Sequence, residues 1–285
     1  MLKVLEAIQL STDYLNKKGI ESPRINAELL LADILNCSRL NLYLMFDRPL
    51  SEDQKTEYRE MIARRGKFEP LQYILGYVEF YGLKFNVNPS VLIPRQETEI
   101  LIETIIEEYN DLPDLKIFDI GTGSGNIPVC LAKNLQEVKI TAVDISTDAL
   151  AVAKENASLH DVNNNITFLE GDILNGNCCE DIGQFDLIVS NPPYVGEDQY
   201  KEVQKEILEN EPAVAVTDYA DGYKFYNTIC ESAPQFLKKN GKIFFEMGIG
   251  QSESVKSIME KNGFHNIKIK KDYLDIDRVI YGELK

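Results

Sequence analysis

Lys116-Ile117-Phe118-Asp119-Ile120-Gly121-Thr122-Gly123-Ser124-Gly125 decides how the rest of the chain is read. A short apolar run ends in three glycines at alternate positions, and a pattern with Val129, Leu131 and Ala132 on helical spacing follows. The run reads as a buried strand and the pattern as a helix. Glycines in the turn between them permit close backbone approach and present N–H groups at a helix N-terminus.

The same alternation recurs to the end of the chain. Lys139-Ile140-Thr141-Ala142-Val143-Asp144 is expected as a second strand, with a helix over 147–159. Further strands are expected at 166–170, 186–190 and 242–246, and helices at 222–239 and 251–262. The last two apolar runs, 267–271 and 278–282, are separated by few residues and must pair antiparallel, because a parallel pair needs a crossover of roughly a dozen residues or more. The expectation is α/β: a mostly parallel seven-stranded sheet with an antiparallel last strand, covered by helices on both faces.

In open sheets of this kind a ligand binds at the carboxyl ends of the strands. Asp144 ends the second strand, where a carboxylate can accept both hydroxyls of a ribose. The dinucleotide fingerprint G-x-G-x-x-G is not met, since the third glycine comes one residue early and Asn126 stands in its place. No phosphate-binding lysine follows the loop either. An adenosine carrying an amino-acid tail fits better than a pyrophosphate. Gly121, Thr122, Gly123, Ser124 and Gly125 would lie against the tail, and Asp119 would stabilise its ammonium through water or backbone. Asp172, ending the third strand, is placed to accept from the adenine amine, and Ile173 to cover the ring. Three acidic residues suit a cationic sulfonium better than a polyphosphate. The expected cofactor is therefore S-adenosyl-L-methionine, leaving as S-adenosyl-L-homocysteine.

The fourth strand, Phe185-Asp186-Leu187-Ile188-Val189, stops in Ser190-Asn191-Pro192-Pro193-Tyr194. Two prolines remove backbone donors and stiffen the chain. The Asn191 side chain and the Pro192 carbonyl are then acceptors facing one space, with the Tyr194 ring beside them. Acceptors next to a plane suit a planar group bearing NH2, either a carboxamide or the exocyclic amine of a base. A rigid turn with a packed tyrosine is the plain alternative. Asn191, Pro192 and Tyr194 are the candidate catalytic residues. Asn191, Pro192, Pro193 and Tyr194 are the candidate substrate contacts, and Asn191 also borders the cofactor.

The totals narrow the classes. At 285 residues, 44% hydrophobic and 27% charged, the chain has the composition of a globular protein large enough for two domains. No run of about 18 apolar residues is present. Met1-Leu2-Lys3-Val4-Leu5-Glu6 does not read as a secretory signal, so the expected location is cytoplasmic. Cys37, Cys130, Cys178, Cys179 and Cys230 lack metal-ligand spacing and are expected as core or loop thiols, with no metal. His160 and His265 sit in no catalytic context. The net charge of −16 disfavours phosphate backbones and favours a protein partner. Arg64-Arg65-Lys67 is the best basic cluster, and it is short.

Residues 1–75 read as a small helical bundle. Val4, Leu5, Ala7, Ile8 and Leu15 form a stripe, Ser22-Pro23 is expected to cap a helix over 25–35, and Ser51 to Gln54 has capping-box spacing. A docking module is the functional reading and a structural cap the plain one. Residues 76–95, with Val78, Phe80, Tyr81, Leu83, Phe85 and Val87 around Gly82, read as a β-rich linker or hairpin of short strands and a turn, and a helix follows from about Glu97. The methyl-transfer domain is expected over 96–285.

The chain resembles the release factor glutamine methyltransferases, the HemK/PrmC family, over nearly its whole length. The motifs are Pro70-Leu71-Gln72-Tyr73-Ile74 with Gly76, Val91-Leu92-Ile93-Pro94-Arg95 with Glu97-Thr98-Glu99, and Asp119 to Gly125. Asn191-Pro192-Pro193-Tyr194, Glu211-Pro212, Asp221-Gly222, Glu246 with Gly248 and Gln251, and Asp277-Arg278-Val279 complete the set. Asn-Pro-Pro-Tyr alone is shared with nucleic-acid adenine methyltransferases, and the stretch around Glu97-Thr98-Glu99 narrows the match. Gln96 stands where the family usually has proline, and Ile173 where some members have an aromatic. The resemblance implies a Rossmann-like class I S-adenosylmethionine-dependent methyltransferase domain behind a helical substrate-docking domain. It implies N5-methylation of the glutamine in the Gly-Gly-Gln motif of bacterial class I peptide-chain release factors by a monomer. A ribosomal-protein glutamine, a nucleic-acid adenine and cofactor binding without turnover remain as alternatives.

Overall fold

The computed structural model describes residues 1–110, 112–175 and 182–285, and Cys178 and Cys179 lie outside them. Two compact units emerge. One is Met1–Tyr77 with Gln204–Asn210, the other Val78–Val203 with Glu211–Lys285.

The first unit is helical. Helix Val4–Lys17 turns Val4, Ala7, Ile8, Ser11 and Leu15 inward. They pack with Leu30 and Leu31 of helix Pro23–Ile34 and with Tyr58 and Ile62 of helix Glu52–Arg65. Buried apolar side chains of this size each contribute about 1.5–3 kcal/mol. The capping box forms as read: the Gln54 N–H donates to Ser51 Oγ at 3.2 Å and the Ser51 N–H to Gln54 Oε1 at 3.0 Å. Pro23 does open its helix, but Ser22 does not cap it. Its φ of 48° is left-handed, whereas a capping hydroxyl needs an extended backbone.

A further difference from the sequence reading concerns this unit. Residues 205–210 fall inside the span expected for the methyl-transfer domain (96–285), but they form a helix, Lys205–Asn210, that belongs here. Arg65 explains it: the guanidinium is buried and donates to Asn26 Oδ1 (2.7 Å), the Glu69 carbonyl (2.8 Å) and Glu206 Oε2 (2.7 Å). Asn210 Nδ2 donates to the Phe68 carbonyl at 3.1 Å. Arg64 is paired with Glu69. The basic cluster read at 64–67 is thus largely consumed by internal pairing.

The second unit opens with a hairpin, β1 (Tyr77–Phe80) and β2 (Leu83–Asn86), within the stretch read as a β-rich linker or hairpin. Tyr77 itself falls at the end of the helical unit. A 3-10 turn, Gln96–Thr98, leads into helix Glu99–Tyr109. The sheet then comprises β3 (Lys116–Ile120), β4 (Lys139–Asp144), β5 (Ile166–Glu170), β6 (Phe185–Ser190), β7 (Leu237–Glu246), β8 (Phe264–Lys271) and β9 (Asp277–Leu284). Their order is β5-β4-β3-β6-β7-β9-β8. β3 to β7 pair in parallel, and β9 runs antiparallel to both β7 and β8.

The expected seven-stranded sheet is therefore present, with β9 the reversed strand. Apolar clusters fill both of its faces: Ile117, Ile140, Leu187 and Phe244 on one side, Phe118, Val143, Ile188 and Phe245 on the other. Strict alternation along each strand directs one residue to each face. The helix expected over 222–239 is shorter, Lys224–Phe236. Leu237 pairs with Phe185 and is buried, so sheet pairing takes over from helix pattern there. Among the described residues, no helix is long and apolar enough to cross a membrane. Cys37, Cys130 and Cys230 are free thiols.

Candidate active site

The chain leaves β3 towards β4 on one side and returns to β6 on the other, so the order reverses between β3 and β6. The carboxyl ends of strands beside such a switch point leave a crevice. A cavity of about 370 Å³ lies there. Gly121, Gly123, Asp144, Asp172, Ile173, Asn191, Pro192 and Pro193 all border it.

The glycine loop is held by backbone bonds. The N–H groups of Gly121 and Thr122 donate to the Val143 carbonyl at 2.9 and 3.0 Å. Gly121 and Gly123 take φ of +77° and +54°, conformations that side chains rarely adopt. Gly125 also takes φ of +77° and is closely packed besides: a Cβ there would lie 3.0 Å from the Ala153 Cβ of the neighbouring helix. Thr122 and Ser124 are buried and, with Gly125, lie outside the cavity lining.

Asp144 is the hinge of the loop. Its Oδ2 accepts from the Gly123 N–H at 2.8 Å and its Oδ1 from the Ser146 N–H at 3.0 Å. Burial raises its pKa, against those backbone donors. Asp119 lies beneath the loop with no exposed surface, and neither carboxylate oxygen has a protein hydrogen-bond partner. Burial pushes it up to about 7, with the nearby Thr122 hydroxyl acting against and Asp144 adding repulsion. Asp172 borders the cavity, but it also caps its own turn, accepting from the Leu174 N–H (2.9 Å) and the Asn175 amide (2.8 Å).

Asn191 follows β6. Its Nδ2 donates to Thr98 Oγ1 at 3.1 Å, and the Thr98 hydroxyl donates to Glu246 Oε2 at 2.5 Å. The Tyr194 hydroxyl reaches Glu246 Oε1 at 3.4 Å, and the ring lies outside the cavity lining. Tyr194 is thus turned to the network under the cavity rather than to the cavity itself. Its carbonyl accepts from Gln251 Nε2 at 3.0 Å, while Gln251 Oε1 accepts from the Gly248 N–H at 2.9 Å.

Gly222 closes tightly on this turn. With φ at +86°, a Cβ would meet the Tyr194 carbonyl oxygen at 2.6 Å. Gly222→Ala is expected to cost about 2–4 kcal/mol, combining left-handed strain with a backbone clash. A fall in the urea midpoint at unchanged slope checks this.

Several residues here were beyond the sequence reading. Thr98 and Glu246 were visible only as members of motifs, without roles. Glu246 ends a parallel strand in an acid, as Asp144 does, and that repetition was the available signal. Glu211 is buried and accepts from the Ile93 N–H at 3.1 Å and from Arg95. It thereby ties the loop carrying Val91 and Leu92 to the segment carrying Pro212 and Val214, and all four border the cavity. Ile145, Val214 and Tyr219 are large apolar residues more than half exposed at its mouth. An exposed apolar rim marks a surface that a ligand covers. Among the described residues, no group of three or more acidic, histidine or cysteine side chains is arranged to hold a metal.

Comparison with known proteins places the chain in a family. Residues 6–76 match the family model of the PrmC N-terminal domain, and residues 95–218 that of the methyltransferase small domain. The release factor glutamine methyltransferase of Geobacter sulfurreducens is 39% identical over 99% of this chain and 96% of its own length. That of Fusobacterium nucleatum is 39% identical over 98% of this chain and 78% of its own. In fold, a methyltransferase from Pyrococcus furiosus superposes with a TM-score of 0.52 at 19% identity, over 71% of this chain and 89% of that one. This chain is a methyltransferase, and it belongs to the release factor glutamine methyltransferase family.

Proposed function

We propose that this chain methylates the side-chain amide nitrogen (N5) of the glutamine in the Gly-Gly-Gln motif of peptide-chain release factors, with S-adenosyl-L-methionine as donor. The observation that carries the reading is the placement of Asn191 and Pro192 on the same cavity as Gly121, Gly123 and Asp144. An amide acceptor and a nucleoside-binding edge share one space of a size suited to a small ligand. The helical unit, Met1–Tyr77 with Gln204–Asn210, is assigned to holding the protein substrate.

The residues present fit the cofactor. Asp119 offers two buried carboxylate oxygens without a protein partner, a place for a cation's field. Asp144 would hold the ribose, Asp172 and Ile173 the adenine, and Gly121 and Gly123 the amino-acid tail. When bound, S-adenosylmethionine supplies an electrophilic methyl group on a sulfonium.

A carboxamide nitrogen is a weak nucleophile, because its lone pair is delocalised into the carbonyl. Asn191 Oδ1 and the Pro192 carbonyl would accept its two N–H groups and fix its plane. Acceptors placed on those protons also favour the positive charge that develops on nitrogen. Orientation and exclusion of water supply the rest.

Asp119 gives a pH-dependent expectation. Its protonated form prevails below about 7 in the free protein, and a bound ammonium favours the carboxylate. Cofactor binding should therefore release a proton near pH 7 and weaken as pH falls through that value. Calorimetry in two buffers of different ionisation enthalpy measures the proton count, and Asp119→Asn should abolish it.

The substrate assignment is tested by mass spectrometry of the Gly-Gly-Gln peptide from a folded, unmodified release factor after incubation with protein and cofactor. One added methyl on that glutamine supports the reading. An unmodified glutamine, with cofactor binding measured separately, overturns the substrate and leaves ribosomal protein or nucleic acid to be tried.

A further inference from the structure

We propose that Thr98 and Glu246 are positioning residues that fix which edge of the Asn191 amide faces the substrate. The inference rests on the reading of Asn191 as the acceptor for the glutamine amide. Neither Thr98 nor Glu246 borders the cavity, and neither touches a reacting atom.

The Asn191 amide has two orientations related by a half turn. One offers oxygen to the cavity and the other NH2. A substrate amide brings N–H donors, so only the first is productive. Shape does not distinguish the two, because oxygen and NH2 are nearly the same size. Hydrogen bonding does. The Thr98 hydroxyl lies 2.5 Å from Glu246 Oε2 and 3.1 Å from the Asn191 amide. It has a single hydrogen. An ionised carboxylate can only accept, so that hydrogen goes to Glu246. Towards Asn191 the hydroxyl is then an acceptor, and Nδ2 must be the atom that faces it. Oδ1 is left for the cavity.

The carboxylate is itself held. The Tyr194 hydroxyl approaches Oε1 at 3.4 Å, and the Tyr226 hydroxyl donates to the Glu246 backbone carbonyl at 2.9 Å. Arg278 and Glu97 act on it through space in opposite senses. Arg278 is otherwise engaged with Asp272 and with the Met247 carbonyl. Tyr194 and Tyr226 are both pushed above the ordinary tyrosine value by burial, so they stay neutral donors.

This arrangement changes sense on protonation. Burial pushes Glu246 up to about 7, against the Thr98 bond and Arg278 and with Glu97. Once protonated, Glu246 can donate to Thr98. The threonine hydrogen is then released towards Asn191, and the amide can turn NH2 to the cavity. The productive orientation is therefore held above the Glu246 pKa and lost as pH falls through it.

The test compares single-turnover methyl transfer to a folded release factor, at saturating cofactor, between pH 6 and 8.5 in the wild type, Thr98→Val and Thr98→Ser. The wild-type rate should fall by about tenfold per pH unit below the inflection. Thr98→Val keeps the shape and removes the hydroxyl. It should be about 10–100-fold slower and lose the inflection. Cofactor affinity should be unchanged, and Thr98→Ser should restore both rate and inflection. A valine variant with wild-type rate, or with the inflection intact, overturns the proposal.

A second readout needs no substrate. The side-chain 15N amide resonance of Asn191 should titrate with Glu246 and show one slowly exchanging proton, and both features should vanish in Thr98→Val. If the wild type shows that signature yet methylates no release factor, the relay stands and the substrate reading fails. If the signature is missing from the wild type, the relay fails whatever the activity.

Discussion

Asn191→Ala is expected to lower the methyl-transfer rate by about 100- to 1,000-fold while changing cofactor affinity by less than about threefold. On the proposed reading, the alanine removes an acceptor placed where the amide nitrogen gains positive charge. A substrate N–H shielded from water by the bound substrate would be left without a partner, which costs about 1–3 kcal/mol. The rest comes from lost orientation, since one carbonyl at Pro192 no longer fixes the plane of the group. The truncated side chain does not disturb β6, whose residues from Phe185 to Ser190 carry the sheet pairing. Thr98 loses only a donor and keeps Glu246. Single-turnover kinetics with calorimetric cofactor binding separates the two quantities. A variant of full activity would sink the assignment of Asn191, and a variant that binds no cofactor would move Asn191 from substrate to cofactor.

Asp144→Ala is expected to act on the other half of the cavity, raising the cofactor dissociation constant by about 100-fold or more. Two losses combine. The ribose would lose charged acceptors, each worth about 1.5–3 kcal/mol. The glycine loop would lose its anchor, because the carboxylate holds the Gly123 N–H at 2.8 Å and the Ser146 N–H at 3.0 Å. Gly123, with φ of +54°, is held in that conformation by the bond of its N–H to Asp144. Asp144→Asn keeps the size and one acceptor and should fall between. Calorimetric titration with S-adenosyl-L-homocysteine, which cannot react, reads the effect without turnover. An unchanged constant would remove Asp144 from the ribose.

The two variants change residues that border one cavity, yet the sequence places them 47 positions apart (191 minus 144). Both stand out in the sequence as candidates because Asp144 ends a strand and Asn191 directly follows one. Periodicity gave β3, β4 and β5 with their ends at Ile120, Asp144 and Glu170, and strand ends are where an open parallel sheet binds its ligand. The glycines at 121 and 123 were legible for a different reason: their conformations exclude side chains.

The limits were equally physical. The helix over 222–239 was read too long because Leu237 keeps a helical apolar spacing. Pairing with Phe185 across the sheet decided the matter. Helix Lys205–Asn210 carries no local mark of belonging to the helical unit, since only the buried Arg65 with Glu206 reveals it. Tyr194 read as a ring against the substrate plane, and its hydroxyl instead joins the network at Glu246.

Sequence by itself determined the α/β class and the order of the sheet strands along the chain, and it marked residues, from Gly121 to Asn191, that border one cavity. These follow from local rules: period, chirality, proline and glycine stereochemistry, and the side chain at each strand end. The tertiary structure alone decided how those groups are oriented. Thr98 and Glu246 lie 93 and 55 positions from Asn191 (191 minus 98, 246 minus 191), and the sheet brings them into one line of hydrogen bonds. The direction of a proton in such a line depends on burial and on partners from distant strands, which no local pattern encodes.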